Sequence, residues 1–198
     1  MRNTIFYVTS NHGKFEEVRG YIEAHEPSIE LLQFDTDLEE LQTLDQLAIA
    51  KSKASQAWKM LQKPLLVDDA AIYFDAYNNF PGTLTKFVHQ GIGYDGIFKL
   101  LDENNKAHFL LQMVYVDEKR LQAFEGFCEG VIIKPKEFKA HPSLPWDAIF
   151  IPEGTNKTYS ELRESGDVDE YLYRIRALKK FLAWFKQSGN GAATLLSS

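Results

Sequence analysis

An α/β fold built on a mixed sheet is the class that this chain of 198 residues predicts. Three observations carry that reading. Short β-branched and aromatic runs alternate with helix-period patterns in the first third of the chain, as βαβ units require. Two longer apolar runs then flank a four-residue polar turn, as in an antiparallel hairpin. A final stripe of large apolar residues at helical spacing closes the pattern. Parallel strands joined by crossovers, followed by antiparallel ones, give a mixed sheet.

Thr4, Ile5, Phe6, Tyr7 and Val8 read as a buried strand, and Thr9-Ser10-Asn11-His12-Gly13 supplies turn and cap chemistry. Residues 14–24 follow as a helix with Phe15, Val18 and Ile22 on one face. Residues 29–34 form a second strand and residues 44–61 a long helix. A third strand over 65–67 ends at Asp68-Asp69, the chain stays extended to 76, and Asn78-Asn79-Phe80-Pro81-Gly82 breaks it. Residues 109–116 and 121–128 make the hairpin around Asp117-Glu118-Lys119-Arg120, and 131–133 is a further strand. Pro135, Pro142, Pro145 and Pro152 mark loops, and 171–186 is the last helix. Residues 1–187 are expected to form one domain, with 188–198, small, polar and Gly-rich, as a frayed tail.

Composition excludes several function classes. Lys and Arg total 22 against 28 Asp and Glu, a formal charge of −6, which argues against a nucleic-acid-binding face. No apolar run approaches the roughly 20 residues of a membrane span, and the run Ile5 to Val8 is too short for a signal-peptide core. The single cysteine, Cys128, permits no internal disulfide or Cys-rich zinc site and fits a reducing cytoplasm. The histidines at 12, 25, 89, 108 and 141 have no His-x-x-x-His spacing, and no G-x-S-x-G elbow is present. Zinc-hydrolase and covalent serine chemistry therefore lack their motifs.

Four places remain where chemistry is concentrated. The loop Thr9 to Lys14 joins a strand to a helix start, where free N–H groups and the helix dipole favour an anion. Lys14 in the first turn opposes that dipole, an arrangement that makes sense with a phosphate between them, although a plain N-cap with a solvated lysine is the commoner reading of such a segment. On helix 44–61, Leu44, Leu47, Ala54, Trp58 and Leu61 form a stripe with Lys51 in its middle and Lys53 opposite. Lys51 must then snorkel to solvent or meet an anion, and Lys53 is expected to be solvated. Asp68 and Asp69 place two carboxylates at a strand end, which is costly without a metal or polar partners. Alternation along the strand sends them to different faces. The acidic residues Asp35, Asp37, Glu39 and Glu40 are expected at the same sheet edge or as a solvated loop. On the last helix, Arg174 flanks the stripe of Tyr171, Leu172, Ile175, Leu178 and Leu182 and can reach an interior cleft, whereas Arg176 points away. Trp146 and Asp147 stand upstream in the proline-rich region.

Taken together these segments resemble the inosine triphosphate pyrophosphatase family, enzymes that hydrolyse non-standard purine nucleoside triphosphates. The opening motif T-G-N-x-x-K-x-x-E is matched by Thr9-Ser10-Asn11-His12-Gly13-Lys14-Phe15-Glu16-Glu17, and (E/D)-D-(S/T)-G-L by Asp68-Asp69-Ala70-Ala71-Ile72. P-G-x-x-x-(K/R) is matched by Pro81 to Lys86. The segment (F/Y)-G-(W/Y)-D-P is matched by Leu144-Pro145-Trp146-Asp147-Ala148, continuing to Thr158-Tyr159-Ser160-Glu161. S-H-R-x-x-A-L is matched by Leu172-Tyr173-Arg174-Ile175-Arg176-Ala177-Leu178. The resemblance implies an elongated, two-lobed mixed α/β fold around a nucleotide cleft, a homodimer, and Mg²⁺-dependent release of pyrophosphate from a nucleoside triphosphate. It implies triphosphate binding by Thr9, Ser10, Asn11, Lys14, Lys51 and Lys86, and metal binding by Glu40 and Asp69. Asp69 would also activate water, and Asp68 would take part in substrate binding. Trp146, Asp147, Tyr173 and Arg174 would line the nucleoside end. The departures concentrate there: Leu144 replaces an aromatic, Tyr173 replaces histidine, and Asp167, Val168, Asp169 and Glu170 occupy the place of the family's lysine; elsewhere Ser10 replaces a glycine, and Ala70 and Ala71 replace a small polar residue and a glycine. The resemblance therefore supports the reaction more firmly than the base. The same chemistry on another nucleotide, and nucleotide binding without turnover, stand as the rival readings.

Overall fold

The computed structural model describes residues 2–188. Residues 189–198 of the expected tail lie outside the described residues. The sheet is assembled around β1 (Asn3–Val8), which pairs in parallel with β2 (Ile29–Phe34) on one side and with β3 (Leu65–Phe74) on the other. Helix α1 (His12–His25) makes the first crossover and α2 (Gln46–Leu61) the second. Beyond β3 every pairing is antiparallel: β5 (Lys106–Val116), β6 (Leu121–Ile132) and the short β7 (Phe150–Pro152) follow in order. β4 (Pro81–Gly82) pairs with β3 at Ile72 and Tyr73. The order among the described residues is β2-β1-β3-β5-β6-β7, a mixed sheet as expected. No helix among the described residues is long and apolar enough to cross a membrane.

One correction positions the site. β3 does not stop at the aspartates; it runs ten residues through them, with Asp68 opposite Met113 and Asp69 opposite Gln112. β1 ends at Val8 opposite Val67, so parallel pairing stops there while β5 carries β3 onward to Phe74. Asp68 and Asp69 thus stand one and two residues past the end of β1, beside the loop that leaves it. The segment 131–133 proves to be largely the end of β6.

The sequence reading passed over α3 (Thr85–Leu100), α4 (Tyr159–Ser165) and β7. Gly91, Gly93 and Gly96 dilute the helical pattern of α3, and Gly93 breaks its geometry with φ of 60°. α4 starts on a capping box formed by Thr158 and Glu161. The last helix, α5 (Tyr173–Gln187), begins two residues later than expected.

Two apolar layers cover the sheet. Tyr7, Val18, Ile22, Leu66, Leu111, Leu178 and Phe181 lie in the layer shared with α1 and α5. Val8, Leu65, Val67 and Val114 pack beneath Ala50, Ala54 and Ala57 of α2. Leu66 faces the first layer and Leu65 and Val67 the second, so alternation along β3 turns Asp68 toward α1 and α5 and Asp69 toward α2.

Candidate active site

The loop after β1 is held by its own side chains. Thr9 Oγ1 accepts from the Asn11 N–H at 3.1 Å, and Asn11 Oδ1 caps α1 by accepting from the Lys14 N–H at 3.0 Å. Asn11 Nδ2 donates to the Ser143 carbonyl at 2.8 Å, which brings residues 143–147 over the start of α1. Gly13 permits this approach, since a Cβ there would lie 3.1 Å from Ser143 Cβ and 3.4 Å from Leu144 Cγ. Thr9 and Asn11 therefore shape the loop with their side chains. Ser10 is exposed beside them, and the first turn of α1 presents N–H groups that lack helical partners.

On the α1 and α5 side, Asp68 is enclosed. Lys14 Nζ donates to Oδ1 at 2.7 Å, while Arg174 Nε and the Tyr7 hydroxyl each donate to Oδ2 at 2.7 Å. Burial alone would push this carboxyl up, but Lys14 and Arg174 outweigh it and hold it well below the usual carboxylate range. Arg174 also pairs with Glu17, Glu17 with Arg163, and Arg163 Nε donates to Asp147 Oδ2 at 2.6 Å. Glu17 is likewise held down by Arg174 and Arg163 against the effect of burial. The chain Lys14–Asp68–Arg174–Glu17–Arg163–Asp147 alternates in sign and sums to zero. That balance lets Asp68, Arg174, Glu17 and Asp147 sit deep, with Lys14 and Arg163 partly exposed at the flanks, because each charge has an opposite one beside it to offset its desolvation.

On the α2 side, Lys53 Nζ lies 2.8 Å from Asp69 Oδ1 and 2.6 Å from Glu40 Oε1. Asp69 Oδ2 makes no hydrogen bond among the described residues. Glu40 is opposed by burial, yet Lys53 first and then Lys86 and Lys14 hold its carboxyl below the usual range, so three lysines share its neighbourhood. Lys53 is pushed up by Asp69 and Glu40 despite burial. Lys86 is exposed.

Here the helical phase read from the sequence is corrected. Lys51 is exposed, outside this cluster, and Lys53 occupies the place expected for it. The face of α2 that packs on the sheet is marked by the small residues Ala50, Ala54 and Ala57, not by Leu44, which is exposed. Of the expected stripe, Ala54 is buried in this layer and Trp58 and Leu61 pack at its edge, but Leu44 is exposed, so the phase set by Ala50, Ala54 and Ala57 turns Lys53 rather than Lys51 toward Asp69.

At the other end the expected nucleoside-lining residues are largely engaged within the protein. Arg174 does reach the interior, but it is 1% exposed and closed by two carboxylates rather than open to a ligand. The Tyr173 ring is buried and stacks on Phe109 at 4.5 Å. Trp146 is buried with its ring edge-on to Phe74 and tilted on His89. Asp147 is buried and paired with Arg163. Sequence reasoning assigned no role to Lys53, Glu17, Arg163 or Tyr7. Glu17 carried a signal, as the last acidic residue of the opening motif; Arg163 carried none.

The arrangement groups two carboxylates, Glu40 and Asp69, about Lys53, with Lys86 and Lys14 acting on the same Glu40. The Ham1 family model matches residues 5–184. The chain belongs to the Ham1 family. It is 34% identical to a dITP/XTP pyrophosphatase of Saccharolobus solfataricus, over 88% of this chain and 89% of that protein. It is 34% identical to a dITP/XTP pyrophosphatase of Thermococcus kodakarensis, over 92% and 97%. An inosine triphosphate pyrophosphatase of Yarrowia lipolytica is 33% identical, over 89% and 93%. The Ham1 protein of Staphylococcus aureus shares the fold at a TM-score of 0.73 and 21% identity, over 93% of this chain and 99% of that one. A HAM1 protein from Coxiella burnetii does so at 0.74 and 20%, over 94% and 100%.

The donor chemistry of this Ham1-family chain suits one hard divalent cation. Glu40 and Asp69 hold the same lysine nitrogen, so their oxygens converge. Among the described residues no cluster of three or more His, Cys, Asp or Glu side chains is placed to bind a metal. Two carboxylates completed by substrate phosphates is the pattern typical of Mg²⁺.

Proposed function

We propose that this chain is a Mg²⁺-dependent nucleoside triphosphate pyrophosphatase, acting on dITP, ITP or XTP and releasing the monophosphate and pyrophosphate. The observation that carries the reading is the Glu40–Lys53–Asp69 bridge, with Lys14 and Lys86 acting on the same glutamate. The dITP/XTP and inosine triphosphate pyrophosphatases that this chain resembles supply the substrate class.

The triphosphate lies against the start of α1, where backbone N–H groups and the dipole favour it. Lys14, Lys53 and Lys86 offset its charge as the bond to the α-phosphorus breaks, the kind of fixed electrostatic stabilisation that dominates such reactions. Glu40 and Asp69 would hold Mg²⁺, which when bound would neutralise phosphate charge and orient the attacking water. Asp69 Oδ2, which has no protein donor, accepts the proton of that water, while Lys53 fixes Oδ1. Asp68 does not meet the substrate; it holds Lys14 in place from below. The reading takes residues 1–187 as one catalytic domain of a homodimer in the cytoplasm. The single buried Cys128 suits that compartment.

Pyrophosphate release from ITP, dITP, XTP, ATP and GTP, with Mg²⁺ and with EDTA, tests the reading. Release from a deaminated purine nucleotide that EDTA abolishes is expected. Binding without release from any of them would favour a nucleotide-binding protein instead, and sedimentation in the same buffer checks the dimer.

A further inference from the structure

Gln46 opens α2 and is 4% exposed. A buried primary amide is costly unless its polar groups are paired. Among the other buried polar side chains, Asp68, Asp147 and Arg174 belong to the ion-pair chain and Thr158 caps α4. Gln46 serves neither. Its Nε2 donates to the Asp69 carbonyl at 2.9 Å and to the Leu110 carbonyl at 3.0 Å. Its Oε1 accepts from the Tyr73 hydroxyl at 3.3 Å. Both amide donors are therefore in use. The two carbonyls can only accept, so the nitrogen must face them, and Tyr73 holds the oxygen on the other side.

The position of those bonds bears on the site. Gln46 and Lys53 stand about two turns apart on α2, so both project from the same side of the helix. Gln46 bonds the main chain of Asp69, and Lys53 Nζ lies 2.8 Å from its Oδ1. One residue of β3 is thus clasped by one helix face at two points, its backbone and one carboxylate oxygen. The bond to Leu110 ties the same amide to β5, where Leu110 stands opposite Ala71. β1 ends opposite Val67, so it no longer pairs with β3 at Asp69. Gln46 supplies a main-chain bond where that neighbour is missing. With Oδ1 taken by Lys53, this clasp fixes where Oδ2 points.

We infer that Gln46 is a positioning residue for the reaction: by holding the Asp69 main chain to α2 it aims Asp69 Oδ2 at the attacking water, and Tyr73 orients the amide that does so. The inference rests on the pyrophosphatase reading above. Gln46 touches neither nucleotide nor water and acts only through Asp69. Without it Lys53 is the one remaining link between α2 and Asp69, and the carboxylate swings about that contact. A displacement of about 1 Å at a reacting group costs up to about a hundredfold in rate. Nucleotide binding, assigned to Lys14, Lys86 and the start of α1, does not pass through Gln46.

Gln46→Met keeps the length of the side chain and removes its polar contacts. At saturating Mg²⁺ its kcat for ITP should fall about ten- to hundredfold, with KM within about twofold of wild type. Added to Asp69→Asn, the same change should lower the remaining kcat by less than about threefold, because both act through one carboxylate. Tyr73→Phe removes only the orienting hydroxyl and should cost about two- to tenfold in kcat. Thermal unfolding shows whether Gln46→Met is folded; if it is not, Tyr73→Phe carries the test, and an unchanged kcat there overturns the proposal. A folded Gln46→Met protein that keeps kcat within about twofold of wild type, whatever its loss of Tm, overturns it too and leaves Gln46 a structural amide. A loss carried by KM alone, or one that multiplies in full onto Asp69→Asn, does the same. Wild-type protein that releases pyrophosphate from no nucleotide overturns the activity reading instead, a failure visible before any variant is made.

Discussion

Lys53→Met removes a cation from between two carboxylates and keeps the length of its stem. In the wild type a single nitrogen lies 2.8 Å from Asp69 and 2.6 Å from Glu40, on a side chain 13% exposed. Without it the two carboxylates face one another at roughly 5 Å. Two like charges at that distance repel by about 3 kcal/mol at an effective dielectric near 20, and by less than about 1 kcal/mol in bulk water. Glu40 is half exposed, so screening places the cost low in that interval, at about 1–2 kcal/mol. For a domain of this size that is a fall of about 2–8 °C in Tm. The catalytic cost is larger. Losing one preorganised donor at a developing negative charge costs about 10²–10³ in kcat. Lys51→Met, two positions away and about 200° around the helix, should change stability by less than about 0.5 kcal/mol and leave turnover within about twofold of wild type. Thermal melts and pyrophosphate release from ITP measure both effects. Equal losses in the two variants, or a Lys53→Met protein that keeps more than a tenth of wild-type activity, would refute the assignment.

Asp69→Asn should lose about 10²–10⁴ in kcat, the usual contribution of a positioned base, and circular dichroism should show it folded because Lys53 still pairs with Glu40. Arg174→Met leaves Asp68 and Glu17 buried without their shared partner and should destabilise by about 3–5 kcal/mol, about 6–20 °C in Tm; urea unfolding showing less than about 1 kcal/mol would contradict the buried network. Acid stability follows the same network. Asp68 and Glu17 have folded-state values below their unfolded ones, so their contribution is complete above the ordinary carboxylate range and is lost as pH falls through the folded values. Asp68→Asn should therefore flatten the acid limb of Tm against pH, and an unchanged limb would place the titrating groups elsewhere.

Much of the fold follows from local pattern. The strand Ile29–Phe34 is legible to the residue, β1, α1 and the hairpin nearly so, because their apolar spacing, caps and turns act within a few residues. The motif residues Asn11, Lys14, Asp68, Asp69 and Arg174 are visible too, since their chemistry is unusual for where they stand. What the sequence by itself could not decide depends on partners far along the chain. β3 runs through its aspartates only because β5, forty residues on, supplies the missing ladder after β1 ends. Asp68 and Asp69 differ in role because alternation sends one into a buried ion network and the other to a lysine on α2. The choice of Lys53 over Lys51 was settled by which face of α2 packs on the sheet, a face marked by three alanines that hydrophobic periodicity underweights. Arg163 is one of many charged residues in an ordinary helical stretch. Only the tertiary fold brings it to Glu17, 146 positions away in sequence, and thereby makes it part of the site: in this low-dielectric interior a charge can stay buried only beside its opposite.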